Sequence, residues 1–445
     1  MPYALSDRQY RRDFTSAISG RQPIDEQERR YYVPITDERV RGDDLVSTIL
    51  ETIDLSSSGS AILVGGPHGS GKSSELLRLR EELKEQAKVD GLPAPAYVYV
   101  DVTHDYIRED QRIDAGSLLV AITAGLIENA HAADCDDTDF HIDQRTLWQK
   151  LLDAFKRLEI GLDKVSVDAG IFSADLKALL RDDTSFRAAV AKVMLNNRAR
   201  FRFEMHQIIE QLVQYVSGNE GPAPVFVIDS LDHLRGYADT YNVVRESVER
   251  LFEDYGDELT LPMAHVIYCV PSYVETRWAV KRDMLNIQVY AEDYEDYVPG
   301  LEQLRAILEA RAPKDGGLDR LFGTDAEPLN TILRASGGSF RDLFRLVGEV
   351  IVKTTTPPAS HREISRALAT LRDQMVGGAV GMSEEQMLLL RKFCADQRAR
   401  PTEKERADYE FLEIRGALLR YPDGPEGPWT GVHPLLRDIA CGSPR

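Results

Sequence analysis

Residues 61–77, Ala-Ile-Leu-Val-Gly-Gly-Pro-His-Gly-Ser-Gly-Lys-Ser-Ser-Glu-Leu-Leu, place the spacing Gly-x-x-x-x-Gly-Lys-Ser between a strand-like apolar run and a helix-like run. Such an order leaves few folds open, because a strand must end in a glycine-rich turn that opens directly into a helix. Gly66, Gly69 and Gly71 allow positive φ and a close approach without a Cβ, so successive backbone N–H groups can converge on one anion. The helix starting near Lys72 aims its N-terminal dipole at the same point. In that cradle, with Ser70 and Ser74 as further members, Lys72 is expected to bridge the β- and γ-phosphates of ATP. The Ser73 hydroxyl is the expected ligand for Mg2+. The competing reading, a glycine-rich turn that fits by chance, does not account for the flanking strand and helix.

A chain of 445 residues exceeds what one core supports and implies two or three domains. Its formal net charge of −19 opposes casual binding to nucleic acid or an anionic membrane, without excluding a local basic face. No apolar run approaches the roughly 18–20 residues that span a bilayer, and the N-terminus lacks signal-peptide character, so the expectation is a cytoplasmic protein with no membrane partner. Cys135, Cys269, Cys394 and Cys441 lie far apart with no Cys-x-x-Cys pair and read as free thiols. Acidic residues gather at 134–139, 253–258 and 292–296. The first group lacks the glycine and closing glutamate of an EF-hand and reads as a solvated loop.

The fold class is α/β: a P-loop NTPase parallel sheet in an αβα sandwich over 31–295, with a large helical insertion at about 112–220, a helical lid at 296–378 and a winged helix at 379–445. Residues 1–30 read as an N-terminal arm or one short helix. Strands are expected at 61–65, 96–102, 224–229 and 264–270, with a fifth at 286–290. Helices are expected at 43–54, capped by Asp43 or Asp44, and at 72–88 and 241–254. Near-continuous apolar strands separated by helices indicate a parallel sheet covered on both faces. In the insertion, Phe186, Val190, Val193, Phe201, Met205, Ile208, Leu212 and Val216 mark one long helix, and 165–176 reads as a hairpin or turn. The tract Arg198-Ala-Arg-Phe-Arg202 reads as a solvated helix face, against a contact with phosphates or a neighbouring subunit's nucleotide. Lid helices are expected at 300–312, 326–354 and 361–375. Gly377–Gly381 reads as a linker, followed by helices at 383–396 and 402–413 and a hairpin from 416–421 and 429–433.

The run Val225-Phe-Val-Ile-Asp229 ends in a carboxylate at the carboxyl end of a parallel strand, where Asp229 can hold a water on the magnesium bound by Ser73. Asp232 reads either as the group that orients the attacking water or as a helix-capping acid. Ser272, just after the fourth strand, is the small polar residue placed to touch the γ-phosphate. Arg277, Arg282 and the 198–202 tract are candidates for an arginine finger acting across a subunit interface.

Together these residues resemble the AAA+ and STAND branches of P-loop ATPases over most of 31–440. Gly337-Gly-Ser-Phe-Arg341-Asp-Leu343 is similar to the sensor 2 sequence of the origin-recognition branch, which implies that Arg341 reaches the γ-phosphate through a fixed guanidinium. The Asp229-x-x-Asp232 pattern and Val432-His433-Pro434 resemble STAND features, the latter with valine and proline where the family's Met-His-Asp has methionine and aspartate. The resemblance implies that His433 touches the ADP β-phosphate; ordinary packing is the alternative. Val40-Arg41-Gly42-Asp43 resembles the stretch lining the adenine pocket in both branches. The resemblance implies a slow ATP-dependent conformational switch that forms a homo-oligomer, with an effector encoded separately, as in antiphage defence. The alternative is a DNA-binding initiator or transposition-regulator ATPase. Residues 383–445 hold ten Lys/Arg and eleven Asp/Glu, against the basic stripe of a DNA module.

Overall fold

The computed structural model describes residues 5–19, 29–56, 58–67, 69–130, 144–161, 169–218, 221–236, 240–377, 381–422 and 427–442. Backbone contacts divide the chain into two compact units: Leu45–Gly65 with Arg78–Asp283, and Met1–Asp44 with Gly66–Leu77 and Met284–Arg445.

In the first unit, β1 (Ala61–Gly65), β2 (Tyr97–Asp101), β3 (Val225–Asp229), β4 (His265–Cys269) and β5 (Val280–Asp283) form an all-parallel sheet in the order β2-β3-β4-β1-β5. Every residue of β1, β3 and β4 is buried, as strands covered on both faces require. The register sets Asp101 beside Asp229, and β4 between β3 and β1. The fifth strand is Val280–Asp283 and not 286–290. Its Val-Lys-Arg-Asp sequence suits an edge, where charge blunts further pairing, and carries no apolar signal.

The insertion is helical throughout its described part. Residues 115–127 are all buried, because the Ala115–Asn129 helix has β2 on one side and further helices on the other. The long helix expected across 186–216 is two, Thr184–Asn196 and Arg198–Ser217, broken at Asn197 (φ −148°, ψ 59°). Apolar spacing runs across this one non-helical residue, so periodicity does not register the break. No hairpin forms at 169–176, which lies in the Ala169–Asp182 helix; 165–168 fall outside the described residues, as do 134–139. The basic tract meets the acidic loop: Arg198 Nε lies 2.6 Å from the buried Glu258, and Arg202 pairs with Asp257 at 3.0 Å.

In the second unit, the helices Leu5–Ile18, Val298–Glu309, Ala326–Ala335, Phe340–Lys353 and His361–Val376 share one apolar core. Tyr10, Phe14 and Ile18 are buried in it, so the N-terminal segment is a helix of this core, not a loose arm. The stretch expected as one helix over 326–354 is interrupted by Gly337 and Gly338, at φ 59° and 78°. Residues 286–290 run extended here. Their amides bond to carbonyls of other elements (Asn286 to Arg420, Ile287 to Gly338, Gln288 to Val40), while Ile287 and Val289 enter the helical core. A strand-like apolar pattern is thus satisfied without a sheet ladder.

The C-terminal module has the helices Glu384–Ala395 and Arg406–Ile414, then β6 (Leu418–Tyr421) and β7 (Trp429–Val432) paired antiparallel. This is the element order expected of the segment; 378–380 of the linker and 423–426 of the turn fall outside the described residues. Cys394 and Cys441 form a disulfide, with Cα atoms 5.4 Å apart, which corrects the expectation of free thiols. The short helix Arg437–Ala440 returns onto Glu384–Ala395 and brings together residues 47 apart in sequence, a pairing no local spacing announces. Cys269 is buried and in no disulfide, and Cys135 lies outside the described residues. Among the described residues no helix is long and apolar enough to cross a membrane.

Candidate functional site

The glycine-rich loop belongs to the second unit, and its geometry follows from its sequence. Gly66, Gly69 and Gly71 take φ of 134°, 83° and 93°, which side chains strongly disfavour. Lys72 opens the Lys72–Asp90 helix, is buried, and donates from Nζ to the Gly66 carbonyl at 2.9 Å and the Pro67 carbonyl at 3.0 Å. Ser73 and Ser74 follow in the first turn, half-buried. The Ser70 hydroxyl is buried and has no hydrogen-bond partner among the described residues.

The N-terminus of the Phe340–Lys353 helix closes on this loop. A Cβ added at Gly69 would lie 2.7 Å from the Arg341 Cβ, and one at Gly71 would lie 3.2 Å from the Phe340 ring. Arg341 therefore lies against the loop. Burial pushes its guanidinium down to about 10, with Asp342 partly offsetting that, so it remains charged at neutral pH. Among the described residues its buried Nη2 has no hydrogen-bond partner. Arg41 packs over the Phe340 ring, donates to the Ser70 carbonyl and pairs with Glu75 at 3.2 Å, each of these two side chains 10% exposed. Tyr32 donates to the same Glu75 carboxylate at 3.1 Å. Val40 is buried in the lid core, and its carbonyl accepts from Gln288.

Residue 342 carries the contact onward. Asp342 is buried at the start of its helix, where its own amide donates to Ser339 Oγ at 3.3 Å. Burial alone would raise its pKa, but His433, Arg345 and Arg341 hold it below the ordinary value. His433 is completely buried after β7. Its Nδ1 accepts from the Leu435 amide at 3.2 Å, which leaves Nε2 as the protonated nitrogen, 3.6 Å from Asp342 Oδ2. The Gly337-Gly338 turn fits between the hairpin and the 286–290 segment: Tyr421 donates to the Gly337 carbonyl at 2.7 Å, and a Cβ on Gly338 would lie 1.7 Å from the Ile287 carbonyl oxygen. The module is tied further by Arg437, which stacks on Tyr290 and Tyr294, and by Arg398, which pairs with Glu292.

The remaining candidates lie in the sheet unit. Asp229 is buried at the end of β3, with Oδ1 accepting from the Ser230 amide at 2.6 Å and Oδ2 from the Tyr99 hydroxyl. Burial, then the Asp229 charge, push the Tyr99 phenol well above its ordinary value, so it keeps its proton and donates. Asp232 is half-buried in the turn Leu231–His233. Ser272 is buried after β4; Arg277 and Arg282 are exposed. Sequence reasoning missed Tyr99, Phe340, Asp342 and Glu75. Only Asp342 had a local signal, as the acid following Arg341.

These groups suit a magnesium nucleotide. The amide cradle that a Cβ would disrupt and the buried Arg341 Nη2, without a partner among the described residues, fit polyphosphate, and the Ser73 hydroxyl beside that cradle is a hard oxygen donor of the kind magnesium prefers. No protein-family model matches the chain, and no curated protein does. Among solved structures, 97% of the chain matches 91% of a chain of Drosophila ORC bound to DNA, at 13% identity and a TM-score of 0.37. Similarly, 93% matches 94% of Aeropyrum pernix ORC2 in its ADPNP–ADP complexes, at 12% identity and 0.40. A Pyrococcus horikoshii STAND protein with a tetratricopeptide repeat sensor matches 93% of the chain at 10% identity and 0.26, over 45% of its own length.

Proposed function

We propose that this protein is an ATP-binding, slowly hydrolysing conformational switch in which the lid reads the γ-phosphate and passes its state to the C-terminal module, a winged helix. The observation that carries this is the continuity of Arg341 and Asp342: one packs on Gly69 of the loop, the other meets His433 of the module. Loop amides and Lys72 bind the phosphates, with Ser70 and Ser74 lining the loop, and Ser73 and Asp229 hold magnesium directly or through water. Magnesium held by these residues would supply positive charge against the charge that develops on the phosphates. Arg341 supplies a guanidinium to the γ-phosphate, making it the differential ligand of the two lid states. Asp232 orients water, and Ser272 touches the γ-phosphate. The absence of an Asp-Glu pair at 229–230 favours a switch over a fast motor. Arg41 supports the loop from the adenine side, beside Val40.

His433 acts in this scheme through Asp342, not by direct contact with nucleotide. Oligomerisation would place Arg277 or Arg282 at a neighbour's nucleotide; Arg198 and Arg202 are less suited, being paired to Glu258 and Asp257. A separately encoded protein effector, as in antiphage defence, is the partner we favour over DNA. Basic groups of the module are engaged internally, Lys392 with Glu405 and Arg406 with Glu410. Calorimetric titration with ATP and ADP tests the proposal: Lys72→Ala should abolish binding, and Arg341→Ala should reduce the ATP-over-ADP preference about tenfold, as loss of a charged hydrogen bond implies. Binding by Lys72→Ala equal to wild type would refute it.

A further inference from the structure

We infer that Tyr99 is a positioning residue that fixes the Asp229 carboxylate for its magnesium-bound water. This rests on the reading of Asp229 given above. The geometry is local to β2 and β3. Tyr99 pairs in register with Val227, so its side chain reaches diagonally to Asp229, two residues further along the neighbouring strand. With the Tyr99 hydroxyl on Oδ2 and the Ser230 amide on Oδ1, both oxygens have a donor and the carboxylate plane is set. Ser230 makes its bond from a left-handed backbone, φ 70°, a conformation uncommon outside glycine.

The neighbouring Asp101 shows what the tyrosine adds. Asp101 lies beside Asp229 in the sheet register, yet its Oδ1 accepts from the His104 amide at 3.0 Å and caps the helix Val102–Asp105. One of two adjacent strand-end carboxylates is therefore committed to capping a helix, while the other is held by a hydroxyl from the neighbouring strand and by the amide of the next residue. Nothing in the spacing of residues 99 and 229 announces this pair.

The test compares binding of a fluorescent ADP analogue in excess Mg2+ and in EDTA, for wild type, Tyr99→Phe and Asp229→Asn. Tyr99→Phe should cut the magnesium-dependent gain in affinity by about three- to tenfold, the scale of one hydrogen bond to a charged group, and leave affinity in EDTA unchanged. Asp229→Asn should cut the gain further. If Asp229→Asn loses the gain and Tyr99→Phe keeps it, the inference fails and the magnesium reading stands. If both keep it, the magnesium reading fails and takes the inference with it. Equal weakening of Tyr99→Phe in both buffers would assign Tyr99 a general structural role and overturn the inference. Should Tyr99→Phe not fold, a tyrosine analogue fluorinated beside the hydroxyl keeps the ring and strengthens the donor; a magnesium gain left unchanged by it would overturn the inference equally.

Discussion

His433 Nε2 lies 3.6 Å from Asp342 Oδ2, with both side chains buried. One belongs to the segment after β7 and the other to the first turn of the helix that carries Arg341, so a polar contact joins the C-terminal module to the residue next to the one lying on the phosphate loop. A carboxylate buried there needs its partners. Burial opposes its charge, and His433, Arg345 and Arg341 more than compensate.

That balance sets a pH dependence. Asp342 has a folded-state pKa below its unfolded value of about 3.9, so its contribution to stability is full above about pH 5 and is lost as pH falls through the folded value. Asp342→Asn should cost about 1–3 kcal/mol at neutral pH, as expected for disrupting a buried charged hydrogen-bond group. The difference from wild type in urea midpoint should shrink below about pH 4. A difference that stays constant into acid would show that the carboxylate's charge contributes nothing.

How much of this was legible in the sequence depended on whether the signal was local. The loop Gly66–Ser73 combines glycine freedom, a strand and a helix start within a dozen residues, and Arg341 follows a Gly-Gly turn, so both could be read directly. The four buried strands carried apolar runs. The edge strand Val280–Asp283 did not, and the apolar run 286–290 was assigned to the sheet because burial in a helical core and burial in a sheet leave the same pattern. Tyr99 with Asp229, Cys394 with Cys441 and Phe14 with the lid core are long-range pairings. They depend on how elements return to one another, which periodicity does not contain.

The Gly337-Gly338 turn makes an ordered prediction. Both positions have positive φ, so alanine at either costs about 1–2 kcal/mol in backbone conformation. The obstacles differ. At 337 the new Cβ meets side-chain atoms, Leu419 Cδ1 at 2.4 Å and Pro434 Cδ at 3.0 Å, which can shift. At 338 it meets the Ile287 carbonyl oxygen at 1.7 Å, within a segment whose own amide donates to the Gly338 carbonyl. Gly338→Ala should therefore be the more destabilising in thermal melts, and the reverse order would contradict this account of the turn.

The N-terminal helix Leu5–Ile18 gives the last test. Phe14 is fully buried among lid residues, and Arg11 donates to the Ile351 carbonyl at 3.0 Å, placing a cation at the C-terminal end of the Phe340–Lys353 helix where the macrodipole favours one. Tyr10 also donates to the Gly317 carbonyl, and Asp7 pairs with Arg320 at 2.7 Å. A loose arm would tolerate truncation of Phe14 with a change within about 0.5 kcal/mol, as exposed sites do. A lid helix should lose about 3–5 kcal/mol on Phe14→Ala, through lost burial and the cavity left behind. Hydrogen exchange locates the effect: amides of Phe340–Lys353, which lead to Arg341, should exchange faster in the variant than in wild type. Unchanged exchange there together with a small stability change would return residues 5–18 to the status of an arm.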